Sequence, residues 1–179
     1  MKRTFAITAA AAVLAGGAAI GASADDTPPT ARAAQAKPKA ITFQRVGQVH
    51  IGDRHADLRD KGLVGPLRPG CELGGPNTRS ANLRSPLKGS VDLSQNNARK
   101  VRNITVRGGA EARGVGIGDK ISDIKAKFPK AIVDHGTEEV FGLTLVRVPK
   151  NGGGKISFAV PLDTKRISLI GVPFIAFCE

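Results

Sequence analysis

The chain has no tryptophan, no tyrosine and one methionine among 179 residues, and seven phenylalanines are its whole aromatic complement. Nucleic-acid and sugar binders stack bases and rings on aromatic platforms, so this scarcity argues against both as partners. The signatures of common catalysis are missing too: there is no G-x-S-x-G elbow, S-x-x-K pair, Walker loop or dinucleotide fingerprint. His50, His55 and His135 form neither an HxxxH nor an HExxH spacing, and His55 is better placed to fill a core slot than to hold zinc or act as a base. No cofactor and no metal is therefore expected, and a binding role is expected ahead of an enzymatic one.

The longest uncharged apolar run lies at the N-terminus. Lys2 and Arg3 precede residues 5–20, and Ala22-Ser23-Ala24 precedes Asp25. This order of charge, apolar run and small residues is that of an export signal cleaved after Ala24. The competing reading, a retained anchor, suffers from Gly16, Gly17 and a run shorter than the roughly 20 residues of a spanning helix. Residues 25–40 hold three prolines and no large apolar side chain, so they are expected to be a disordered linker. Residues 41–179 are expected to form one domain, secreted, with wall association among the options its charge permits and no membrane span once the signal is gone.

Cysteine is scarce. In an oxidising compartment Cys71 and Cys178 read as one disulfide closing a loop of 107 positions, a constraint of about 4 to 5 kcal/mol in the chain-entropy model. A free catalytic thiol is the competing reading, without a CxxC or Cys-His neighbourhood to support it. Acidic residues are scarce as well: taking Lys2 and Arg3 from the 27 basic residues leaves 25 against 15, a net charge of +10. Such a charge suits anionic wall polymers, anionic lipid head groups or acidic proteins, and it also serves solubility.

What the chain does have is an internal echo at an offset of 66 residues. Residues 49–61 (VHIGDRHADLRDK) and 115–127 (VGIGDKISDIKAK) agree at six of thirteen positions, with four more conservative. Residues 99–106 and 165–172 match in pattern at the same offset. Each unit, 42–107 and 108–179, opens on V-x-I-G-D, and Asp53 and Asp119 stand where helix N-caps belong. Paired with Asp57 and Asp123 they also resemble half a calcium site, but no third acidic ligand follows. Ile121, Ile124 and Phe128 form a one-sided stripe that Pro129 ends. His55 and Leu58 start a weaker one that Gly62 ends.

Strands follow. Residues 143–148, 156–162 and 166–172 are expected to form an antiparallel meander, with 156–162 half-buried by its alternation. Unit one keeps two strands, 87–93 and 100–106, while residues 65–86, rich in glycine and proline, read mostly as loop. Residues 169–178 read as a buried strand bulged at Pro173. The fold class expected is α+β, a tandem duplication sharing one sheet.

The element I-G-D-x-x-x-D-[LI]-[RK]-x-K at residues 51–61 and 117–127, followed by a meander, resembles the repeat of the beta-lactamase inhibitory protein. It is also similar to the module of the small outer-membrane assembly lipoproteins, whose lipid-modified cysteine has no counterpart ahead of Cys71. The resemblance implies a short helix on an antiparallel sheet and a protein-binding sheet surface. It carries over no binding residues, because that inhibitor's face is rich in aromatics. The candidate patch for an anionic or protein partner is Arg99, Lys100, Arg102 and Arg107 with Lys165 and Arg166. A solvated strand edge guarded by charge accounts for the same residues. The function expected is a secreted interaction protein, an inhibitor among the options, with a wall-polymer binder next and a hydrolase third.

Overall fold

Apolar residues at every second position make one face of each long strand hydrophobic, and these faces are what the helices cover. The computed structural model describes residues 37–177, in which the elements are β1 (Lys39–Ala40), β2 (Arg45–Val46), β3 (Val49–His50), α1 (His55–Asp60), β4 (Arg68–Pro69), β5 (Arg79–Asn82), β6 (Lys88–Leu93), β7 (Val101–Gly108), β8 (Ala110–Glu111), α2 (Ile121–Lys127), β9 (Ile132–Asp134), α3 (Glu138–Phe141), β10 (Leu143–Pro149), β11 (Lys155–Pro161) and β12 (Leu169–Val172). The expected signal, residues 1–24, and residues 25–36 of the expected linker lie outside the described residues, as does Cys178. Lys39 and Ala40, expected in the linker, instead pair in parallel with Ala110 and Glu111. No helix among the described residues is long and apolar enough to cross a membrane.

Eight strands form one antiparallel sheet in the order β4-β5-β6-β7-β12-β11-β10-β9, so the fold is α+β and dominated by strand. On the front face Leu58 of α1 and Ile124 of α2 are fully buried against Val91, Ile104, Val146, Phe158 and Ile170. His55 is buried in the slot that Ile121 fills on α2, its Nε2 3.0 Å from the Gly65 carbonyl. Gly62, at φ +68, stops α1: its N–H bonds to Arg59 O and that of Leu63 to Leu58 O, the paired bonds of a left-handed helix stop.

Geometry repeats at the 66-residue offset. Gly52 and Gly118 both have φ +95, and their N–H groups bond to the carbonyls of Val101 and Ile167. Val101 and Ile167 in turn bond back to the carbonyls of Asp53 and Asp119, each at 2.8 Å. The β5–β6 and β10–β11 pairings agree in number, Ala81 with Val91 and Arg147 with Ser157, but the first pair faces the core and the second the rear, so there the shift does not carry side chains to the same face. At the sheet centre Ile104 faces Val172, Thr105 faces Gly171 and Val106 faces Ile170, a register that maps onto itself under the same shift.

Several expectations need correction. The N-cap residues are Arg54 and Lys120, and neither makes a side-chain cap bond, so Asp53 and Asp119 sit one position too early to cap. Each accepts instead the N–H three residues back, His50 and Gly116, at 2.8 Å, and closes the turn ahead of the helix. The carboxylate serving the start of α2 is Asp123, which accepts the Lys120 N–H at 2.9 Å. Residues 65–86 contain two strands, β4 and β5, and a 3₁₀ turn at Glu72–Gly74. β11 is buried on both faces from Ile156 to Val160, and Leu162 lies beyond it, exposed. The terminal strand ends at Val172. After Pro173 the chain leaves the sheet and turns back over its rear face, because an apolar run satisfies burial equally well lying on a sheet as within one.

Candidate functional site: the open face of the sheet

The residues alternating with the core residues define the rear face, and its two halves differ. On β5, β6 and β7 they are Ser80, Asn82, Ser90, Asp92, Asn103 and Thr105. On β10, β11 and β12 they are the apolar Leu143, Leu145, Ala159 and Leu169, with Arg147 and Ser157 beyond them. The apolar residues pack with Ile175 and Phe177, and Phe177 stacks on Phe141 of α3 at 4.7 Å between ring centroids. At the boundary Asn103, fully buried, donates to Asp92 Oδ2 (3.0 Å) and Thr105 Oγ1 (3.2 Å) and accepts the Phe174 N–H (3.3 Å). Ser157 Oγ donates to the Pro173 carbonyl at 3.1 Å. Polar side chains thus fasten the returning segment where it crosses the sheet centre.

The uncovered half holds a cleft of about 530 Å³ lined by Arg68, Asn82, Lys88, Ser90 and Arg107 together with the 85–87 turn. No acidic side chain lines it, and Arg68, Lys88 and Arg107 form no ion pair among the described residues. Arg107 owes its position to a bulge. Lys88 pairs with Gly108 and Gly89 with Val106, which leaves Arg107 without a partner across the ladder. A second bulge, between the Asp92–Asn103 and Leu93–Val101 pairs, does the same for Arg102, which lines a neighbouring recess with Asp92 and Phe174. Gly89 is required here: at φ +145, a Cβ would lie 2.0 Å from the Thr105 carbonyl oxygen.

The expected patch does not assemble as one surface. Arg102 and Arg107 lie on β7, a central strand and not the guarded edge anticipated for them; the sheet edges are β4 and β9. Arg99 spends its guanidinium on the carbonyls of Asn77 (3.1 Å) and Ser94 (3.3 Å), and Arg166 donates to the Gly118 carbonyl at 2.8 Å. Lys100 is exposed beside Arg54, and Lys165 occupies a left-handed turn position at φ +53. Arg68 and Lys88, which complete the cleft with Arg107, escaped the sequence reading. Lys88-Gly89 opposite a basic residue on a neighbouring strand was the available signal, but only the register discloses it.

Elsewhere, Thr144 Oγ1 (2.5 Å) and His135 Nδ1 (2.6 Å) both meet Glu138 Oε1. These bonds, that from Thr144 first, hold the Glu138 carboxyl below the ordinary glutamate range. The hydroxyl donates to the carboxylate and not to the imidazole, so the trio staples the β9–α3 turn to β10 and presents no base-activated nucleophile. Among the described residues no three His, Cys, Asp or Glu side chains converge as metal ligands. Cys71 is not free, and its Sγ lies 4.0 Å from the carbonyl oxygen of Phe177, the residue before Cys178. Comparison with family models, curated proteins and solved structures finds no match for this chain.

Proposed function

We propose that this chain is an exported, non-enzymatic interaction protein that docks an acidic protein partner on the rear face of its sheet. The observation that carries the reading is the cleft of Arg68, Lys88 and Arg107, which gathers three cations without an acidic neighbour on an uncovered sheet face. The only rear-face cation in the opposite half with a described ion pair is Arg147, held by Asp134 at 2.7 Å. Exposed Phe174, which lines the neighbouring recess with Asp92 and Arg102 on the same half, supplies an apolar anchor of the kind that protein interfaces use. A basic protein held by anionic wall polymer is the second reading, favoured by the net charge alone.

We infer three further features of the molecule. The domain is a tandem duplication with a 66-residue period, supported by the matched Gly52 and Gly118 geometry, the equal turn bonds of Asp53 and Asp119 and the self-mapping β7–β12 register. Its organisation is that of the beta-lactamase inhibitory protein's repeat, supported by the shared I-G-D element and by short helices on one face of an antiparallel sheet. Cys71 pairs with Cys178, supported by the approach of Cys71 to Phe177.

The test is affinity capture from culture supernatant with the exported chain and its R68E/K88E/R107E variant as parallel baits. A protein retained at physiological salt by the first bait and lost from the second supports the reading. Capture that is the same on both baits overturns it. Retention on anionic polymer beads that moderate salt abolishes, and that Phe174→Ser does not change, favours the wall-polymer reading instead.

A further inference from the structure

Beside α2 and β10, a second recess of about 450 Å³ has a different chemistry. Its floor is apolar, made by Phe43, the buried ring of Phe128 at the end of α2 and Val148 of β10. Its rim carries Arg113, Lys130 and Lys150, again with no acidic side chain in the lining. None of the three cations has an ion pair among the described residues.

Arg113 is held in place at a cost. It occupies a tight turn between Ala112 and Val115 at φ +52, a left-handed conformation that glycine adopts freely and a branched-off Cβ resists. The equivalent turn 66 residues earlier, between Val46 and Val49, places Gly47 there at φ +58. The strained position puts the Arg113 guanidinium 5.2 Å above the Phe128 ring, on the lip of the recess. A cation–π contact of this kind leaves the guanidinium N–H groups, which make no hydrogen bond among the described residues, as donors for a ligand.

An apolar floor under a three-cation rim fits a ligand with an apolar body and an anionic head. We propose that this recess binds an acyl-chain carboxylate of about the size of octanoate, the chain lying on Phe128 and Val148 and the carboxylate held by Arg113 with Lys130 and Lys150. A volume of this size lies in the range of small-molecule sites. A peptide terminus fits less well, because Asn151 is the only uncharged polar side chain in the lining to meet its amide groups.

The test is titration of the full chain with sodium octanoate, followed by amide and side-chain NMR shifts, with octanol, acetate and N-acetylphenylalanine as comparison ligands. Saturable octanoate shifts centred on Phe128 and Val148, with octanol and acetate at least tenfold weaker, are expected. The decisive variant is Arg113→Gly, which relieves the turn. Its Tm should equal or exceed that of the parent while octanoate affinity falls about fivefold or more. Equal binding of octanol would reduce the recess to an apolar dimple, and equal binding of acetate would reduce it to a cation cluster. N-acetylphenylalanine binding more tightly than octanoate would reassign the ligand. Absent octanoate binding, or an unaltered affinity in Arg113→Gly, would each overturn the proposal.

Discussion

The two halves of the rear sheet face share their strand order, mirrored about β7 and β12, yet one lacks apolar cover and the other is covered. Apart from the two β6–β7 bulges the halves pair on the same antiparallel plan, and the difference lies in every second side chain. Leu143, Leu145 and Leu169 gather Ile175 and Phe177 over themselves, whereas Ser80 and Asp92 bond only within the sheet, to the Pro69 carbonyl and to Asn103, and Asn82 stays exposed. An antiparallel sheet tolerates water on one face, so a half-sheet freed of apolar cover is available for binding without loss of the core behind it.

The largest effect that would break this comparison is expected from Leu145→Ala set beside Ser90→Ala. The first should cost about 2 to 4 kcal/mol in chemical denaturation, because Leu145 is sealed under Ile175 and Phe177. The second should stay within about 0.5 kcal/mol. Comparable costs at both sites would mean that the bare half is covered too.

Asn103 marks the boundary, and its loss should be next in size. Asn103→Ala removes the acceptor of the Phe174 N–H and the donor to Asp92, which should cost about 1 to 3 kcal/mol and speed hydrogen exchange at Phe174. If exchange at Phe174 is unchanged, the returning segment is held by its apolar contacts alone.

The front-side turns sharpen the comparison from the opposite direction, since there the two halves are alike. Asp53→Ala and Asp119→Ala should each cost about 1 kcal/mol, through loss of the N–H bonds from His50 and Gly116. Costs that differ between them by more than about 1 kcal/mol would separate turns that share one geometry.

The smallest effect concerns pH and touches the covered half alone. Glu138 has a lowered folded pKa, so its contribution to stability is full above the unfolded carboxyl value and is lost as pH falls through the folded one. Thr144→Val removes the largest cause and should raise the Glu138 pKa in an NMR titration, leaving less stability to be lost in acid.

Much of the front of the molecule was legible in the sequence. The Ile121, Ile124 and Phe128 stripe, the stop at Gly62 and the burial of His55 all follow from spacing along a short helix. What escaped depends on partners distant in the chain. β5 has Ala81 as its one core residue, so it becomes a strand by pairing with β6 and not by its own pattern. The bulges that present Arg102 and Arg107 are single-residue slips of register, invisible until both strands are aligned. Asp53 and Asp119 are acidic in the right place for a cap but one residue short of it, and their carboxylates found the nearer N–H groups of the preceding turn. The apolar residues after Val172 announced burial without saying whether they lay in the sheet or across it.

The proposed docking of an acidic partner is on the uncovered half of the rear face. Lysine labelling of the isolated complex tests it most directly, because Lys88 lines the rear cleft while Lys125 and Lys127 sit exposed on α2 at the front. Protection of Lys88 on binding, with Lys125 and Lys127 labelled as in the free protein, is the predicted result. Protection of Lys125 and Lys127 with Lys88 still reactive would contradict it.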